Sequence, residues 1–127
     1  MSQSVRSFER GSGIASEDLS SKQFYIVQLD ASGGIEVGES ATDLLVGVLQ
    51  NTPASGEAAN YRFLGTTKVI AGGTINPGAW VTSDTAGKAV ATTTDKDVVI
   101  GRFIGTAAAA SGDIIEIQLS IFTLSHA

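Results

Sequence analysis

Cysteine is absent from this chain, and histidine occurs once, as His126. The first absence excludes disulfides, thiolate zinc sites and cysteine nucleophiles together. The second leaves triad or acid–base chemistry to one side chain next to the C-terminus, where chains fray, so His126 reads as a solvated tail residue. Only carboxylates remain as metal ligands. Asp95-Lys96-Asp97 lacks the ligand series and the glycine of a calcium loop and reads as a solvated turn. Asp113 and Glu116 read as a turn residue and an outer-face residue of the last strand. The sequence predicts no enzyme, no metal and no cofactor.

Long apolar runs are also missing: Ala107 to Ala110, as long as any, falls far short of the roughly 20 residues a spanning helix needs. The N-terminus lacks the apolar region of a secretion signal, so the expectation is a protein made in the cytoplasm with no membrane partner. Phosphate loops fail on spacing. Gly87-Lys88 is followed by Ala89 rather than Ser or Thr, and Thr82 stands where the first glycine belongs. Gly11-Ser12-Gly13 continues to Ser16 and reads as a flexible linker.

Basic charge is scarce too, with 8 Lys and Arg against 13 Asp and Glu for a net charge of -5. Residues 1–22 balance Arg6, Arg10 and Lys22 against Glu9, Glu17 and Asp18. The remainder is acidic and would repel a phosphate backbone, which argues against nucleic acid as a partner.

What is present is a chain of 127 residues with 43% hydrophobic residues and 15 glycines, enough for one compact domain of short strands and tight turns. Residues 1–22 hold seven serines and scattered apolar positions, and read as a flexible N-terminal arm. Residues 23–127 read as the β body. Phe24 to Leu29 is a β-branched and aromatic run closed by a turn cluster with paired glycines, and Ile35 to Val37 is its return strand. Leu44 to Leu49 is apolar on both faces, as in a central strand covered on both sides, and Gly47 within it marks a bulge or close approach.

Asn51 to Glu57 reads as a loop, and Arg62 to Leu64 and Lys68 to Ala71 as strands. Asn76-Pro77-Gly78 is a type II turn sequence. Ala79 to Ser83 and Lys88 to Thr92 flank Asp84-Thr85-Ala86-Gly87 as a hairpin, and Val98 to Thr106 is a further strand. In the last strand Ile115, Ile117, Leu119 and Ile121 alternate with Glu116, Gln118 and Ser120, so the former face the core. No amphipathic helix and no internal repeat is legible. The expected fold is all-β: a small single-domain β-barrel or sandwich with an extended N-terminal arm.

Val46 to Leu119 resembles the capsid cement or head decoration proteins of tailed phages. The resemblance rests on the order of Gly47-Val48-Leu49, Gly56-Glu57-Ala58, Gly65 to Gly73, Ile75 to Asp84, Gly87-Lys88-Ala89-Val90, Ile100-Gly101 and Ala109 to Ile115. It implies a structural virion protein on the capsid exterior that stabilises the expanded shell by bridging subunits of the major capsid protein. It also implies self-association, as a homotrimer in preference to a dimer, and no catalytic residues.

In that role the arm is expected to order on the shell, with Phe8 as apolar anchor, Arg6 and Arg10 pairing with shell carboxylates, and Ile14 among the contacts. Trp80 and Tyr61 are candidates for an oligomer or shell interface. Two rivals stand beside this reading. A carbohydrate- or ligand-binding module of a phage tail or adhesin predicts an aromatic-lined pocket around Trp80 and Tyr61. A biotinyl or lipoyl carrier would use Lys88 on its hairpin, without the flanking methionines of the biotin motif.

Overall fold

Short apolar stretches separated by glycine-bearing turns fold as ten strands in a computed structural model that describes residues 10–125. They are β1 (Arg10–Ile14), β2 (Ile26–Leu29), β3 (Ile35–Val37), β4 (Leu45–Leu49), β5 (Ala58–Arg62), β6 (Thr66–Ile70), β7 (Trp80–Ser83), β8 (Ala89–Ala91), β9 (Val98–Phe103) and β10 (Ile114–Thr123). One five-stranded sheet runs β1-β5-β4-β2-β3 and the other β6-β10-β9-β7-β8. All strand pairs are antiparallel. The fold is all-β and sandwich-like; of the two expected architectures, the closed barrel is not formed.

The two sheets repeat one topology. In each, the first strand pairs with the fifth, the fifth with the fourth, the fourth with the second and the second with the third. The registers coincide as well: Val27 faces Val37 and Gly47 where Val81 faces Ala91 and Gly101. The residue after the first strand bridges to the third in both halves, Ala15 to Ile35 and Ala71 to Ala89.

The turn chemistry repeats with the strands. Asp30 Oδ1 accepts the N–H groups of Ser32 and Gly34 at 2.8 Å, and Asp84 Oδ1 those of Ala86 at 2.8 Å and Lys88 at 2.9 Å. Gly33 and Gly87 supply the positive φ that closes each turn, 85° and 80°. Where the sequence showed no repeat, the structure therefore places two, residues 10–62 and 66–123. The central glycines mark the same close approach in each. A Cβ on Gly47 would stand 2.4 Å from the Arg62 carbonyl oxygen, and one on Gly101 2.3 Å from that of Gln118.

The first half starts earlier than the sequence suggested. Arg10 to Ile14 pair with Ala58 to Arg62, Ala15 is buried, and Leu19 is fully buried in the cluster of Val27, Ile35, Leu49 and Ala59. Residues 10–22, expected within the arm, thus form an edge strand and part of a core, because Leu19 and Ala15 cover an apolar face that would otherwise meet water. The rest of the expected arm lies outside the described residues.

A second cluster joins the halves. β2 and β4 have two apolar faces: Val27 and Leu49 turn into the first half, while Ile26, Leu45 and Val48 pack with Val69, Val81, Ile100, Ile117 and Leu119 of the second. The double-sided burial expected for Leu44 to Leu49 is met in this way, although Leu44 itself is 64% exposed. In β10 the register shifts between Leu119 and Phe122, so Phe122 is half-buried and Ile121, expected in the core, is 37% exposed. The strand expected at Arg62 to Leu64 instead spans Ala58–Arg62.

Candidate functional site

Strand alternation turns Trp80 of β7, Arg102 of β9 and Gln118 and Ser120 of β10 to the outer face of the second sheet, where they line an open cleft of about 180 Å³. Register brings the first two together, since Trp80 stands opposite Arg102 in the β7–β9 pair. The Arg102 guanidinium lies 4.1 Å from the centre of the Trp80 ring, a cation–π stack. The bulge in β10 swings Phe122 against the same ring, edge-on, with centroids 5.0 Å apart and planes at 86°.

Tyr61 is not part of this group. It packs on the first half's core and lies 6.3 Å from Phe63, with its ring across β1 so that a Cβ on Gly11 would meet it at 2.5 Å. The aromatic pocket shared by Trp80 and Tyr61 that a carbohydrate module requires is not formed among the described residues, and Arg102 and Phe122 both pack against the Trp80 ring. Lys88 is half-buried where its hairpin turn enters β8. Its hairpin turn is pressed onto the first half at Gly87, whose Cβ would stand 2.2 Å from Val37 Cγ1.

Of the residues expected to meet a capsid, Arg6 and Phe8 lie outside the described residues. Arg10 is exposed at the start of β1, opposite Arg62, and Ile14 is 57% exposed at its end. Among the described residues no three His, Cys, Asp or Glu side chains are grouped to hold a metal ion. Two carboxyls depart from their ordinary range. Asp30 is held low by the Gly34 N–H, then the Ser16 hydroxyl and the Ser32 N–H, and Asp18 is held low by Ser20. Both are turn residues.

Among the described residues, the surface carries exposed apolar and aromatic side chains. Besides the Trp80 cleft it includes Ile14, Leu44, Leu64, Ile104, Ile114 and Ile121, each between 37% and 64% exposed. The sequence pointed to Trp80 and Ile14. Arg102 and Phe122 were missed because only strand register and a bulge bring them to the tryptophan.

Compared with known protein families, residues 9–119 match the model described as phage cement protein. No curated protein matches. Among solved structures, the chain is similar to the head fiber gp8.5 N base of bacteriophage phi29, with 20% identity over 92% of this chain and 98% of that one and a TM-score of 0.67. At that identity the likeness is one of fold.

Proposed function

From the premise that the chain belongs to the phage cement protein family, a family of phage capsid-associated structural proteins, we propose that it binds the outside of the capsid as a homotrimer and stabilises the expanded shell by bridging subunits of the major capsid protein. The observation that carries this reading is the reach of the family match, which spans nearly all of both five-stranded sheets rather than one motif. The protein then acts by binding and not by catalysis. A protein that binds the expanded lattice selectively stabilises it by mass action, and weak contacts multiply over symmetry copies.

Arg6, Phe8 and Arg10 contribute to the capsid contact in this reading, because the exposed edge strand β1 leads back to them. An edge strand presents unpaired backbone groups, and an extended segment of a shell protein can add to it. The acidic body keeps an exterior protein off nucleic acid.

Sedimentation of the full chain with purified capsids tests the proposal. Saturable binding to expanded shells, weak binding to unexpanded procapsids and a higher temperature of shell disruption are expected. Equal binding to both forms, or none to either, overturns it.

A further inference from the structure

We infer that the Trp80 face of one chain binds the Ile14 and Leu44 face of a second copy, repeating between chains the contact that joins the two halves within one. The inference deepens the homotrimer proposed above by naming its surfaces, and rests on that reading for the number of chains.

The internal contact is head-to-tail. The first half offers Phe24, Ile26 and Val48, and the second half receives them around Ile70, Gly87 and Val98. Backbone bonds fasten it: the Ile26 N–H donates to the Gly87 carbonyl at 2.7 Å, the Ile70 N–H to the Phe24 carbonyl at 3.1 Å, and the Val98 N–H to the Ala41 carbonyl at 2.7 Å. A contact between unlike faces of two similar units leaves one unlike face unused on each.

The shared registers identify those faces. In the second half, Trp80, Arg102 and Gly78 occupy the places of Ile26, Val48 and Phe24. In the first half, Ile14, Gly33 and Leu44 occupy the places of Ile70, Gly87 and Val98. Ile26 and Val48 are fully buried, whereas Trp80 is half-buried and Arg102 exposed; Ile70 and Val98 are half-buried, whereas Ile14 is 57% exposed and Leu44 64%. The turn glycines differ in the same sense. A Cβ on Gly87 would run into Val37 and Ile26, while one on Gly33, with nearly the same φ, would meet nothing within 4 Å.

The chemistry of the free faces suits a second copy. Trp and Arg stand where the internal contact uses Ile and Val, and these two residues dominate binding energy at interfaces between separately folded chains. Residues 10–62 carry seven acidic against three basic side chains, and residues 66–123 five against four. The face bearing Arg102 thus meets the more acidic half. In the joined state the Trp80 N–H donates to the neighbour's Gly33 carbonyl, and the neighbour's Ile14 N–H to the Gly78 carbonyl. Three chains close the contact into a ring of six halves.

The test uses full-length protein without capsid, in analytical ultracentrifugation, with thermal melts to confirm folding. Wild type is expected to sediment as a closed oligomer. Ile14→Glu, Leu44→Glu and Arg102→Glu all alter exposed side chains, and each should abolish the oligomer while leaving the melt in place. Mixing Ile14→Glu with Arg102→Glu leaves one intact donor and one intact receiver, so the mixture should form a dimer that neither forms alone. Wild-type oligomer that survives all three substitutions, or a mixture that stays monomeric, overturns this inference and leaves the trimer standing. A monomeric wild type overturns both, and capsid binding is read separately.

Discussion

Phe24 and Gly78 hold the same post in the two halves: each has positive φ, 69° and 83°, and each donates its N–H to the last residue of the fourth strand of its half, Leu49 at 2.8 Å and Phe103 at 2.9 Å. A left-handed backbone is awkward for a phenylalanine. Phe24 tolerates it because its ring packs on the cluster that joins the halves. Within one chain, a Cβ added to Gly78 would meet nothing within 4 Å. Replacing Gly78 by Ala therefore isolates the conformational cost, about 1 to 2 kcal/mol. Urea denaturation should show a lower midpoint with an unchanged slope.

Gly101→Ala is expected to be worse, because the added methyl meets backbone rather than open space, 2.3 Å from the Gln118 carbonyl oxygen. β9 and β10 would have to separate there. A loss of about 1 to 3 kcal/mol or more is expected, along with weakened amide protection in both strands by hydrogen exchange.

Leu19→Ala should lower the melting temperature: Leu19 is fully buried, and such truncations cost about 2 to 5 kcal/mol. Deletion of residues 2–19 also removes β1 and should abolish the cooperative melt. A 2–19 deletion that melts like wild type would show that β1 contributes nothing.

Asp30 makes stability depend on pH in acid. Its carboxyl is held below the usual range, chiefly by the Gly34 N–H, so its contribution is present above the unfolded value near 4 and is lost as pH falls through the lower, folded value. The gap in melting temperature between wild type and Asp30→Ala should be constant near neutrality and narrow below about pH 4. A gap independent of pH throughout would refute the charged role.

Strands with β-branched runs and turns with Asp, Gly and Pro were legible in the sequence, because those residues act locally. The repeat was not. Identity survives mainly where geometry forbids change, as at Asp30 and Asp84, Gly33 and Gly87, and Gly47 and Gly101, while core positions exchange one apolar residue for another, such as Ile35 for Ala89. The stretch Gly11-Ser12-Gly13 looked like a linker because glycine carries no pattern. In the structure it is a strand whose bare Cα atoms make room for Tyr61 and Ile35. Trp80 stood out as the lone tryptophan, but its partners come from two other strands, a matter of register that composition cannot show.

β2 and β4 serve two cores at once, and this binds the fate of the two halves together. The first half leaves the ribosome with Ile26 and Val48 still facing water, and they are covered only as Val69, Val81 and Ile100, then Ile117 and Leu119 far along the chain, arrive. Neither half can melt without stripping an apolar face from the other, so the repeat unfolds as a single cooperative unit, and a chain cut between β5 and β6 yields two pieces that must find each other before either is stable.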